Sequence, residues 1–566
     1  MQAFEGSEGY AIDLPLFEKT MYKYRLIFFL LIASVSSGKA AEWQWSVADG
    51  ETRVYLWIPP DCKRVRGVVF ANHNMVEQGI MEHPTMRKTL TPLGFAEVWV
   101  VPYFDLTFDF HKGAGEHFEH VMDLLAEDSG YQELRHAPVV PLGHSACATF
   151  PWNFAAWNPG RTLAILSFHG DAPQTTLTGN GAPRLDWGNR SIDGVPGLMV
   201  MGEYEWGDAR LDPAFSFMEK HPKVPLAFLA DAGRGHFDYA DRTVEFLAKF
   251  IQKAAAARLP AEAGLDEPVV LKPIDPTQGW RVDRWRKEQP PTASAAPYAQ
   301  YTGNPKDAFW CFDQEMAETT ETIYARERGK KTQLLSVTDG QQPVEKGIGE
   351  PVVPEFIPQA DGVTFQVKTR FLGTVPPANS KATLWTGLPV GSALGHSTVG
   401  SIELSRIVGP VVQTGPDTFA IQYGRAEYTA NRRNHEMWLV ASHAGDETYK
   451  SIVQQFKVVA NPNQEGLVQK ITFPEIANQY AEATSLKLMA TSDAGLPVSY
   501  YVREGPAEIV GDTLKFTAIP PRAKFPVKVT IVAWQQGRST APKIQTAERM
   551  ERTFLIEKAS SDRSAK

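Results

Sequence analysis

Six short apolar runs, separated by stretches of helical periodicity, constrain this chain more than any other feature. They cover residues 67–71, 95–101 (interrupted by Glu97), 139–142, 163–168 (interrupted by Ser167), 197–202 and 225–230. Continuous apolar runs this short are what strands covered on both faces require. Residues 86–93, 115–134 and 239–257 place apolar side chains at helical spacing. Strands and helices alternating in this way predict an α/β fold, a mostly parallel sheet with helices on both faces. Two alternating segments, 43–47 and 52–58, precede it as further strands. In such a sheet the functional side chains sit on loops at the carboxyl ends of the strands.

The third run continues as Gly143-His144-Ser145-Ala146-Cys147 and leads into Phe150, Trp152, Phe154, Ala155 and Ala156. This reads as a buried strand, a sharp turn and a helix. Gly143 and Cys147 are small enough to let strand and helix approach closely. Such a turn strains its central residue and lifts the Ser145 hydroxyl off the end of the sheet. The usual pattern is G-x-S-x-G, with Cys147 here in the last place. Two later strand ends carry polar groups, Gly202-Glu203-Tyr204-Glu205 and Gly235-His236-Phe237. Ser145, Glu205 and His236 thus follow the order nucleophile, acid, histidine.

The α/β unit spans 41–258. Residues 259–300 then carry Pro260, Pro268, Pro273, Pro276, Pro290, Pro291 and Pro297. They argue for an extended linker without helix or inner strand, anchored by Trp280 and Trp285. Beyond 301 the periodicity shifts towards two. Segments 363–371, 383–385, 419–423 and 438–441 predict strands of a β-rich domain over 301–468. Segments 486–490, 498–502, 514–516 and 527–534 predict a β-sandwich over 469–558, followed by a polar tail, 559–566.

Through the turn at 143–147, the acidic loop at 202–205 and Gly235-His236-Phe237, the first unit resembles the α/β-hydrolase superfamily. Within it, the likeness is to secreted esterases related to dienelactone hydrolases and polyhydroxybutyrate depolymerases. Gly495-Leu496-Pro497-Val498-Ser499-Tyr500 and Gly505-Pro506-Ala507 make the last unit similar to immunoglobulin-like modules that end secreted bacterial carbohydrate-active enzymes. The resemblance implies an α/β-hydrolase fold followed by two β-rich accessory domains. It also implies a serine carboxylic ester hydrolase that needs no cofactor and no metal. An ester substituent on a polysaccharide is the substrate class the modular build suggests. A polyester, lipid or peptide hydrolase with the same residues is one alternative. A catalytically inactive binding or surface-attachment protein on the same scaffold is another. The chain departs from the family in three places. Cys147 stands where Gly or Ala is usual, glutamates fill a loop that usually carries Asp, and His73-Asn74-Met75 replaces a His-Gly loop.

A free serine hydroxyl is a poor nucleophile and needs a base, which in turn needs an orienting carboxylate. Ser145 is expected to attack the ester carbonyl, His236 to take and return its proton, and Glu205 to hold the imidazole. Glu203, Asp208 and Asp171 are alternative acids. The N–H of Ala146, with that of Asn74 or Met75, is expected to bind the oxyanion. His144 reads as packing, and Trp152 and Trp157 mainly as core. His117 and His120 share a helix face, but their spacing lacks the H-E-x-x-H pattern, so a solvated face is expected there.

Met21-Tyr22-Lys23-Tyr24-Arg25, the apolar run 26–35 and the small residues up to Ala41 describe a secretory signal peptide, with Met21 read as the start. Residues 1–40 are then an N-terminal extension and signal peptide, and the mature chain is secreted or periplasmic. The apolar run is too short to span a bilayer, and no later stretch is a membrane candidate. The net charge of -8, from 57 basic and 65 acidic residues, offers no footprint for nucleic acid. Cys62, Cys147 and Cys311 are too few, and wrongly spaced, for a disulfide framework or a metal site.

Overall fold

Eight strands build the central sheet of the computed structural model: β1 (Trp45–Asp49), β2 (Thr52–Trp57), β3 (Gly67–Asn72), β4 (Phe95–Val101), β5 (Val139–His144), β6 (Ile165–Phe168), β7 (Gly197–Gly202) and β8 (Leu226–Asp231). The structure describes residues 43–175, 181–205, 208–261, 267–338, 352–377, 380–425 and 435–558. The expected signal peptide and the polar tail lie outside the described residues. The spatial order is β1-β2-β4-β3-β5-β6-β7-β8. β2 runs antiparallel to both its neighbours, and every pair from β4 to β8 is parallel. All residues of β3 to β8 are buried, as strands covered on both faces must be.

The covering helices are α1 (Glu77–Met81), α2 (Pro84–Leu93), α3 (Ala114–Ser129), α4 (Phe150–Trp157), α5 (Asp212–Lys220) and α6 (Asp241–Arg258). The His83 ring caps the Thr85 N–H at the start of α2, and Gly94, at φ 68°, ends that helix. α2 packs against α6. α3 packs against α4 through the Phe118 and Phe154 rings, 4.9 Å apart and edge to face. The architecture is the α/β-hydrolase fold.

Two expectations are corrected. Segment 259–300 is not simply an extended linker, because β9 (Trp280–Asp283) is the inner strand of a sheet with β10 (Ala296–Pro297) and β11 (Ala308–Cys311). The prolines fall outside β9, and Pro297 lies on an edge strand, where the missing N–H is tolerated. This sheet and α7 (Gln314–Ala325) lie against β8. Phe228 and Phe309 stack at 5.1 Å, and the Tyr324 hydroxyl donates to the Phe228 carbonyl at 2.9 Å. Residues 383–385, expected in a strand, belong to the helix Ser380–Thr386. Ala382 and Trp385 are buried while Leu384 is 62% exposed, a split at helical spacing.

Farther on, Glu403–Val408, Glu436–His443 and Ile452–Val459 form an antiparallel sheet. The last unit pairs a four-stranded with a three-stranded sheet around its own core, which includes Ile471, Phe473, Tyr500, Val529 and Phe554. The other apolar core is continuous from Trp43 through the central sheet to Ala460, and takes in Tyr501, Val532 and Trp534 of the last unit. No helix among the described residues is long and apolar enough to cross a membrane. Cys62, Cys147 and Cys311 are buried and unbridged.

Candidate active site

β5 ends at His144, and Ser145 takes φ 53°. That is the left-handed region, which non-glycine residues enter at a cost. A single 3-10 turn, Ser145–Cys147, then delivers the chain to α4. Strand and turn touch so closely that a Cβ on Gly143 would lie 2.0 Å from the Cys147 carbonyl oxygen. Ser145 Oγ lies 2.6 Å from His236 Nε2, and His236 Nδ1 lies 2.7 Å from Glu205 Oε2. The three side chains come from the loops after β5, β8 and β7. The Gly202 N–H donates to Glu205 Oε1 at 2.6 Å. Burial pushes the Glu205 carboxyl up, but the His169 and His236 imidazoles and the Gly202 N–H outweigh it and hold it below the usual carboxylate range. An ionised carboxylate on Nδ1 leaves Nε2 as the lone pair facing the serine hydroxyl. The arrangement can therefore move a proton from Ser145 to His236 and hold the resulting imidazolium.

Two of the alternative acids are engaged elsewhere. Glu203 accepts from Lys450 Nζ at 2.6 Å and from the Gly233 N–H at 2.9 Å. Asp171 pairs with Arg210 at 2.6 Å, and burial, only partly offset by Arg210, raises its pKa. Asp208 opens the turn Asp208–Leu211, and its side chain lies outside the described residues.

The expected oxyanion donors on the β3 loop are corrected. The N–H groups of Asn74 and Met75 both donate to Glu77 Oε2, at 3.2 and 2.8 Å. Glu77 Oε1 accepts the His144 N–H at 3.0 Å. This buried carboxyl thus ties the β3 loop to the end of β5. Burial drives it up to about 7 against the pull of those N–H groups. Glu77 was legible only as a lone acid inside the apolar stretch 75–81.

His144, read as packing, is fully buried and also makes polar contacts. Its Nε2 lies 2.8 Å from the His236 carbonyl oxygen. His169, which the sequence reading passed over, places Nδ1 2.7 Å from the same oxygen and 3.3 Å from Glu205 Oε1. A carbonyl only accepts, so both imidazoles donate to it. Two buried rings therefore fix the backbone of His236. The one signal for His169 was its place at the carboxyl end of β6. Nitrogens of His144, His169 and His236 lie within 4.8 Å of one another, close enough for a metal ion. Hydrogen bonds engage both nitrogens of His236 and direct one nitrogen each of the other two at its carbonyl. His117 pairs with Asp49, and His120 is exposed.

No family model and no curated protein matches the chain. Among solved structures, it is similar to dienelactone hydrolase from Anabaena variabilis, at 15% identity and TM-score 0.26, over 39% of this chain and 98% of that one. It is also similar to the S-formylglutathione hydrolase FrmB from Staphylococcus aureus, at 12% identity and TM-score 0.28, over 38% and 96%. A third is a phospholipase/carboxylesterase from Dyadobacter fermentans, at 13% identity and TM-score 0.25, over 38% and 99%.

Proposed function

We propose that this chain is a serine hydrolase that cleaves carboxylic esters through an acyl-enzyme. The observation that carries the reading is the relay Ser145–His236–Glu205, with contacts of 2.6 and 2.7 Å, built on a serine at φ 53°. Ser145 Oγ attacks the ester carbonyl as His236 Nε2 takes its proton. His236 then protonates the leaving alcohol, and water, activated by the same nitrogen, releases the acid. Glu205 keeps the imidazole in the required tautomer and favours its charged form. The Ala146 N–H, next along the turn, serves the oxyanion. The Asn74 and Met75 N–H groups, engaged by Glu77, shape the loop instead.

The substrate class we favour is an ester substituent on a polysaccharide, met outside the cytoplasm after export by the N-terminal segment. The β-sandwich region over 469–558, which has a core of its own, supports this choice.

The test is labelling by a fluorophosphonate probe of wild type, Ser145→Ala and His236→Ala. Wild type should label, Ser145→Ala should not, and His236→Ala should label far more slowly. A folded wild type that fails to label overturns the reading. Acetylated, methylated and feruloylated glycans, set against short-chain esters, lipids and polyesters, then test the substrate class.

A further inference from the structure

The loops that carry Glu205 and His236 lean on residues that lie more than 100 positions later in the chain. Glu203 and Tyr204 immediately precede Glu205. Lys450 Nζ donates to Glu203 at 2.6 Å, and the two side chains are only 2% and 3% exposed. The Tyr204 hydroxyl donates to the Ser451 carbonyl at 2.8 Å, and its ring packs on Trp385 at 4.6 Å. The base loop is held in the same way. Gln455 Nε2 donates to Asp238 Oδ1 at 3.1 Å, and the same oxygen accepts the Gly235 N–H at 3.0 Å. A Cβ on Gly235 would lie 2.2 Å from Gln455 Nε2, and one on Gly233 would lie 1.8 Å from Ser451 Oγ. Phe237, next to the base, packs on Trp438 at 5.3 Å.

Lys450 is itself held. It also pairs with Glu288, while the Ser451 N–H and hydroxyl both donate to Glu327, at 2.9 and 3.0 Å. Burial alone would lower the Lys450 pKa, but the two glutamates hold it above its ordinary value. A buried ion pair can be removed as a pair with little loss of stability. Removing one partner leaves an uncompensated charge. This pair therefore permits a test that separates stability from position.

We infer that Lys450, with Tyr204 and the segment 450–455, positions the acid and base loops, so that the β-rich region behind the hydrolase fold completes the active site rather than serving as a detachable binding module. The inference rests on the serine hydrolase reading. Lys450 acts through Glu203, and so is a positioning residue.

The experiment compares full-length wild type, Lys450→Met, Lys450→Arg, the double variant Lys450→Met/Glu203→Gln, and Tyr204→Phe. The readouts are the fluorophosphonate labelling rate, kcat and KM for a short-chain chromogenic ester, and Tm. Lys450→Met should label at least tenfold more slowly, with kcat reduced and KM unchanged, and Lys450→Arg should recover most of the rate. The double variant should regain most of the lost Tm but stay slow, because the buried Glu203 charge goes with Lys450 and the Glu288 left behind is 41% exposed, while the tether is still missing. Tyr204→Phe, which keeps the ring and the charge and removes the hydroxyl that donates to the Ser451 carbonyl, should slow labelling several-fold. It decides the matter if Lys450→Met does not fold. Wild-type rates in the folded Lys450→Met or Tyr204→Phe variants would overturn the inference. So would a double variant that recovers rate and Tm together. If wild type itself does not label, the hydrolase reading fails instead.

Discussion

Replacing His169 by phenylalanine isolates what the imidazole beside the base contributes. The ring stays, and so does its stack on Phe168, at 4.2 Å and 15°. What is lost is the Nδ1–H, which reaches the His236 carbonyl at 2.7 Å and Glu205 Oε1 at 3.3 Å. The first bond is worth about 1 kcal/mol, and the second, to a charged oxygen but long, about the same. If the whole of this appears in the barrier, about 2 kcal/mol corresponds to roughly 30-fold in rate. The carbonyl keeps its bond from His144 Nε2, so a fall of about 10- to 30-fold in kcat is expected. KM should change by less than about twofold, because His169 is only 2% exposed and a group that acts on the barrier alone leaves KM unchanged. His169→Asn is the matched control. Its amide N–H₂ can stand where Nδ1–H stood, and asparagine tolerates the φ of 48° found there. It should retain activity within about threefold of wild type on the same hydrogen-bond reasoning. Initial rates on a chromogenic ester, with Tm recorded for each variant, decide the case. The strain of phenylalanine at this φ, about 1 kcal/mol, belongs in Tm alone. Wild-type kcat in His169→Phe, or equal losses in both variants, would refute the reasoning.

Other perturbations have equally definite outcomes. Glu205→Gln removes the charge that fixes the His236 tautomer, and kcat should fall about 10⁴-fold. Asp171→Asn, which loosens only the Arg210 pair, should stay within about tenfold, as a change outside the relay. Glu77 is fully buried with its carboxyl raised to about 7, above its unfolded value of about 4.3. Its favourable contribution is therefore complete below the unfolded pKa and is lost as pH rises through about 7, at roughly 1.4 kcal/mol per pH unit. The Tm of Glu77→Gln should accordingly gain on that of wild type between pH 5 and pH 7, and parallel profiles would contradict the shift. Gly143→Ala forces a Cβ to 2.0 Å from the Cys147 carbonyl. It should abolish labelling and lower Tm, while Cys147→Ala, which only shrinks a buried side chain, should keep the label.

Much of the central sheet was readable because its strands are buried on both faces and therefore spell continuous apolar runs. The turn at Ser145 was readable for a related reason. Only small residues let strand and helix close up, and Gly143 and Cys147 flank the serine at the required spacing. What escaped the sequence reading acts through space. Pro290 and Pro291 hid the inner strand β9 because they lie beside it, not in it. Thr383-Leu384-Trp385 suits either a strand or a helical turn, and the choice was made by Trp385 packing on Tyr204. Glu77 and His169 carry no motif. They matter because one reaches the His144 N–H and the other the His236 carbonyl.

The position of β7 and β8 in the sheet explains why the acid and base loops need support from so far along the chain. β8 is the last strand of the sheet, with β7 as its single neighbour. The loop after β5 lies between the ends of β3 and β6, and is braced by Glu77, which accepts the His144 N–H, and by Ser167 of β6, whose hydroxyl donates to the Ala148 carbonyl at 3.1 Å. The loop after β8 has no ninth parallel strand to lean on. That vacant side is taken by β11 and α7 along the strand, and by Trp438 and Gln455 at its end. Gln455 bonds Asp238, two residues beyond His236, and Lys450 bonds Glu203, two residues before Glu205. A relay with hydrogen bonds near 2.7 Å tolerates little displacement of either partner, since misplacement of about 1 Å can cost 100-fold in rate. The base sits on the edge loop and the acid on the loop next to it, so the precision of the relay depends on the covering strand as much as on the sheet that presents the serine.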